Sequence, residues 1–149
     1  MVTVDSTSAT PTSAPVIAAT RLRKGNVSSA RGAARLIGDT LATLRRATTP
    51  SLVIVRADSA YFNHATIAAI AVGGARFSIT ARMNTAVTRA ITTINDTDWT
   101  TIRYPQAIYD EAQQVWISDA EVAEVPFTAF TSRRKADHVT GRLVVRRVR

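Results

Sequence analysis

The sequence predicts an α/β domain, and three observations carry that expectation. Segments of helical periodicity alternate with short β-branched runs between Val16 and Ile94, in the order strand, helix, strand, helix, strand, helix. One run, Leu52-Val53-Ile54-Val55, lacks any polar–apolar alternation, which suits a strand buried on both faces of a mostly parallel sheet. From Asp96 the character changes to short aromatic and β-branched segments, so a β-rich insertion is expected over about 96–130. A chain of 149 residues is one domain long, and at that length roughly 70% of the unfolded surface can be buried.

Residues 1–15 read as a turn-rich lead-in, with Pro11, Pro15 and many hydroxyls. Val16 to Thr20 reads as a strand, and the basic loop Arg21-Leu22-Arg23-Lys24-Gly25-Asn26 follows. A helix is expected from about Ser28 to Ala47, because Ala30, Ala33, Ala34, Ile37, Leu41 and Leu44 recur on one face. Ser28 or Ser29 can cap it, and Pro50 forbids its continuation. After the strand Leu52–Val55, a second helix is expected from about Asn63, with Ile67, Ile70 and Ala71 facing inward. It ends at Gly73-Gly74, a pair suited to a left-handed terminus. Arg76 to Ala81 alternates with Phe77 and Ile79 on one side, as a strand does, and Asn84 can cap a third helix carrying Val87, Ala90, Ile91 and Ile94. Trp99 to Tyr104, Val115 to Ile117 and Val122 to Phe130 supply the strands of the insertion, and Leu143-Val144-Val145 reads as a last one.

Composition excludes several functions. There is no cysteine, so disulfide scaffolds, thiolate metal sites and cysteine nucleophiles are absent. No apolar run reaches the roughly 18 to 20 residues of a membrane span, and Met1 to Pro15 lacks the basic and apolar regions of a signal peptide. A soluble, cytoplasmic protein without membrane partners is therefore expected. Nineteen basic residues face eleven acidic ones, for a net charge of +8, and only Lys24 and Lys135 are lysines. Arginine presents a planar fork that matches phosphate oxygens in pairs, so a polyanion such as nucleic acid is the leading partner class. A generic solvated basic surface, or the codon bias of a GC-rich genome, would give the same charge.

Asp58 is the first candidate for chemistry. It follows the strand Leu52–Val55, at the carboxyl end where open α/β sheets place their ligands, and a carboxylate there suits a hard cation such as Mg2+. The alternative is that Asp58 bonds loop amides and starts the next turn. His64 and His138 stand far apart, which argues against a zinc site, and Ser59 lacks the glycine-flanked elbow of a serine hydrolase. Gly73-Gly74 ends a helix rather than opening one, so it is no phosphate loop. Tyr61 and Phe62 read as packing residues, and Glu111, Glu121 and Glu124 as members of a solvated face. The basic clusters fall in two places: Arg21, Arg23 and Lys24 on one loop, and Arg133, Arg134 and Lys135 opening the tail, with Arg142, Arg146, Arg147 and Arg149 beyond. Such clusters neutralise phosphates without reading base sequence.

At Arg56-Ala57-Asp58-Ser59-Ala60-Tyr61-Phe62 the chain resembles the DDE transposases of bacterial insertion sequences. There, the second catalytic aspartate ends a central strand and precedes Ser, a small residue and aromatics. The likeness extends to Leu22-Arg23-Lys24-Gly25-Asn26 before a long helix, to Gly74-Ala75-Arg76-Phe77-Ser78, and to Phe130-Thr131-Ser132-Arg133-Arg134. It covers nearly the whole chain from about Val16. The resemblance implies a ribonuclease H-like mixed sheet flanked by helices, with the β-rich insertion after the third helix, so that 16–149 would be a partial catalytic domain. In such enzymes three carboxylates hold two Mg2+ ions that drive phosphodiester cleavage and strand transfer. Asp58 would be a catalytic metal ligand, and Arg21, Arg23, Lys24, Arg133, Arg134, Lys135 and Arg142 would contact the DNA of transposon ends and target. The complete enzyme would leave room for oligomerisation.

The chain also departs from the family pattern. The family's first aspartate lies on a strand well before the position matching Val16, and Asp5 is too close to Val16 to match it. Its third acid, a glutamate on a helix, would fall beyond Arg149. The chain thus resembles an internal piece of a transposase that is inactive alone. The rival expectation is a basic α/β module that holds nucleic acid and performs no chemistry. A small-molecule phosphotransfer domain is disfavoured, because no phosphate loop or second acid accompanies Asp58.

Overall fold

The computed structural model describes residues 2–4, 16–22, 24, 26–28, 30–47, 49, 52–102, 108–117 and 120–148. It is a mixed α/β structure that divides into two compact units, Met1–Arg82 and Met83–Arg149. No helix among the described residues is long and apolar enough to cross a membrane.

The first unit opens with β1 (Val2–Val4), which pairs antiparallel with β2 (Val16–Ala19). Part of the turn-rich lead-in is therefore strand; residues 5–15 lie outside the described residues. Helix α1 spans Ala33–Ala47 and buries Ala33, Ile37, Thr40 and Leu41 along one stripe. It starts later than Ser28 because Gly32 adopts a left-handed φ of 77°, which interrupts a right-handed helix. Strand β3 (Ile54–Ala57), helix α2 (His64–Val72) and strand β4 (Arg76–Ile79) form a β-α-β unit whose strands are parallel, with Ile54 opposite Arg76 and Ala57 opposite Ile79. Asn63 starts α2 by accepting the Thr66 amide on its side-chain oxygen at 3.0 Å. The inward face of α2 is Thr66, Ile67 and Ile70, whereas Ala71, expected inside, is exposed.

The core of this unit is Ile37, Leu41 and Ile70, with Val53, Val55, Ala75 and Ile79 packed against it. Along the chain these residues alternate with Ile54, Arg56, Arg76 and Ser78, all of which are exposed. The helices cover one face of the β3–β4 pair, and among the described residues β3 has β4 as its only strand neighbour. The expectation of a central strand buried on both faces at Leu52–Val55 is corrected accordingly: Leu52 and Ile54 are 55% and 52% exposed. The unbroken apolar run reports β-propensity on both sides of the strand, while burial depends on where the helices land.

The second unit begins with α3 (Thr85–Ile91), capped by Asn84, whose side-chain oxygen accepts the amides of Ala86 and Val87 at 2.9 and 3.0 Å. It packs against β8 and buries Val87. The rest is β-rich as expected: β5 (Thr100–Ile102), β6 (Ile108–Asp110), β7 (Val115–Ile117), β8 (Ala120–Ala129) and β9 (Val139–Val148). β6 and β7 form a hairpin, and β5, β8 and β9 form an antiparallel sheet in that order. Among the described residues β5 pairs with β8 over Ala120 to Val122, whereas β8 and β9 pair along their full ten residues. Pro126 sits beyond the reach of β5, where its missing N–H leaves no rung unmade toward a third strand.

Candidate functional site

The parallel pair β3–β4 ends on one last rung, in which the Thr80 amide donates to the Ala57 carbonyl at 3.2 Å. Asp58 is the next residue and is exposed. Its extended backbone (φ −80°, ψ 179°) lets it cap the short turn Ser59–Tyr61, with Oδ1 accepting the Ala60 amide at 2.8 Å. The Tyr61 amide donates to the Asp58 carbonyl at 3.1 Å and the Phe62 amide to the Ser59 carbonyl at 3.3 Å. The turn is also held from outside: Arg82, just past β4, donates from Nε to the Ser59 carbonyl at 3.0 Å. A carboxylate and a guanidinium thus flank neighbouring carboxyl ends of parallel strands. Arg82 was invisible to sequence reasoning, since nothing local ties it to a residue 23 positions earlier.

Asp58 organises its own turn. Among the described residues no group of three or more His, Asp or Glu could hold a metal ion. A two-ion centre needs several well-placed oxygens, and at this turn Asp58 supplies one carboxylate, whose Oδ1 accepts the Ala60 amide. His64 opens α2, Ser59 opens the short turn, and Tyr61 and Phe62 are half-buried. Gly74, at φ 64°, ends α2 as its sequence suggested.

The basic residues separate by what they already bind. In the first unit Arg21 reaches the Gly32 carbonyl at 3.5 Å, Lys24 is exposed, and Arg23 lies outside the described residues. In the second unit Arg133, Arg134 and Lys135 occupy the connection between β8 and β9, and Arg134 pairs with Asp137 at 3.6 Å. Arg142 on β9 bonds directly to Glu124 on β8, one diagonal step away on the same sheet face. Arg147 lies opposite Glu121, meets its carboxylate at 2.7 Å, and stacks 4.0 Å over the Trp99 ring. Glu121 is therefore not on a solvated face as expected: its side chain is 13% exposed and closes a cross-strand ion pair. Glu111 and Glu124 are exposed. The sequence hid this because cross-strand partners follow from register, which composition does not reveal.

No family model, curated protein or solved structure matches the chain.

Proposed function

We propose that this chain is a DNA-engaging segment of a DDE-type transposase, with Asp58 as one acid of the catalytic set. The observation that carries the reading is the placement of Asp58: an exposed carboxylate directly after the last rung of a parallel β-α-β pair, on a turn braced by Arg82. The positive charge supports the DNA half of the reading. At this turn the described residues supply the one carboxylate of Asp58, so no chemical step on DNA follows from them by themselves. In the complete enzyme, Mg2+ would supply nucleophile activation and leaving-group stabilisation through three acids.

The test has two arms. The 149-residue chain by itself should bind duplex DNA and leave it uncut in Mg2+. In a transposase chain carrying this segment and the other two acids, Asp58→Asn keeps shape but removes charge, and strand cleavage should disappear while binding persists. Cleavage that survives Asp58→Asn refutes the catalytic assignment.

A second reading is a basic α/β module without chemistry. It is favoured by one observation, that Oδ1 of Asp58 is fully explained by the Ala60 amide. Under that reading Asp58→Asn changes nothing beyond turn stability.

A further inference from the structure

We propose that the connection between β8 and β9 is the element that engages duplex DNA, and that Arg133 and Lys135, rather than Arg134 and Arg142, make its phosphate contacts. The inference rests on the DNA reading above and assigns the contact surface within it.

The connection is a built loop. Phe130 turns the chain at φ 61°, the Arg133 amide donates to the Phe130 carbonyl at 2.9 Å, and the Asp137 amide donates to the Arg134 carbonyl at 2.8 Å. His138 closes it from the far side, its Nε2 lying 3.1 Å from the Arg133 carbonyl, so that Nε2 carries the proton and donates. Thr131 to Ala136 are all exposed on this frame. A loop ordered before binding loses less conformational freedom when it binds.

Charge is sorted along the hairpin. Glu121 and Glu124 lie toward the base, where they occupy Arg147 and Arg142. At the tip the one acid, Asp137, takes Arg134. The Arg133 and Lys135 side chains have no partner among the described residues, and each is exposed. A phosphate meeting Arg134 or Arg142 would compete with a carboxylate already in place, whereas one meeting Arg133 or Lys135 competes only with water.

The partner class follows from what surrounds these cations. Single-stranded nucleic acid is held by exposed aromatic rings on which bases stack, and Phe130, the aromatic of this loop, is half-buried. A protein partner needs an apolar or aromatic anchor, and the exposed run Thr131 to Ala136 offers hydroxyls, cations and a methyl group. Uncommitted cations on a polar, ordered tip suit the phosphates of a duplex, which demand charge and no anchor.

The experiment measures binding of the intact chain to a short labelled duplex by fluorescence anisotropy across a salt series. Arg133→Gln and Lys135→Gln should each flatten the slope of log affinity against log salt by about 0.9. Arg134→Gln and Arg142→Gln should leave it unchanged, and the single strand of the same sequence should bind more weakly. Circular dichroism melts confirm that each variant is folded. The assignment is overturned if Arg134→Gln or Arg142→Gln flattens the slope as much as Arg133→Gln. It is overturned equally if the Arg133→Gln/Lys135→Gln double variant keeps the native slope, or if the single strand binds more tightly. Native chain that fails to bind the duplex at low salt removes the DNA reading itself, and the tip assignment with it.

Discussion

Gly73 is the residue whose replacement tests the packing of the first unit most directly. It closes α2 with φ −67° and ψ −1°, a right-handed conformation that alanine adopts without strain. By backbone considerations alone Gly73→Ala should stabilise, by about 0.4–1 kcal/mol, through a less flexible unfolded chain. The tertiary structure reverses that sign. A Cβ at this position falls under 3.0 Å from Leu41 Cδ1, and meets the Ala69 and Ile70 carbonyl oxygens at 3.2 and 3.3 Å. Leu41 is 4% exposed and belongs to the core cluster with Ile37 and Ile70, so displacing it disturbs that packing. Overpacking of this kind costs about 1–3 kcal/mol, which leaves a net loss of about 1–2 kcal/mol. For a chain of this length that is a drop in Tm of roughly 3–6 °C, read by circular dichroism. Gly38→Ala is the matched control: a Cβ there meets nothing within 4 Å, so helix propensity alone should stabilise α1 by about 0.5–1 kcal/mol. The decisive measurement is the double variant. Leu41→Ala removes the atom that clashes, so Gly73→Ala should lose its overpacking cost in that background, a coupling of about 1–3 kcal/mol. Additive effects of the two substitutions, or a Gly73→Ala chain more stable than native, would refute the proposed α1–α2 contact.

Asn63→Ala removes the oxygen that accepts the Thr66 amide at 3.0 Å, and should lower stability by about 0.5–2 kcal/mol in urea denaturation. Asn63→Asp retains an acceptor and should restore most of that loss. Glu121→Ala strands Arg147 without its closest carboxylate, in a pair intermediate between buried and exposed, so a loss of about 1–2 kcal/mol is expected. Asp96→Ala, which removes a fully exposed carboxylate 3.7 Å from the same guanidinium, should have no measurable effect on Tm.

Much of the local architecture can be read from the chain because the deciding interactions span three or four residues. Asn63 and Asn84 announce helix starts that each asparagine creates with its own side chain, and both lie where their spacing to Ile67 and Val87 places them. The stripe Ala33, Ile37 and Leu41 likewise carries its burial in its period. The exposed position of Asp58 follows from the abrupt end of the preceding apolar run. What the chain could not disclose is set by contacts between distant residues. The run Leu52–Val55 looks alike on both sides, and only the landing of α1 and α2 decides that Val53 and Val55 are covered while Ile54 is not. Arg133, Arg134 and Arg142 are interchangeable in a composition, yet register hands Arg142 to Glu124 and loop closure hands Arg134 to Asp137. Arg133 stays uncommitted, because an arginine's availability is a property of its neighbours in space, and those are chosen by strand pairing rather than by sequence proximity.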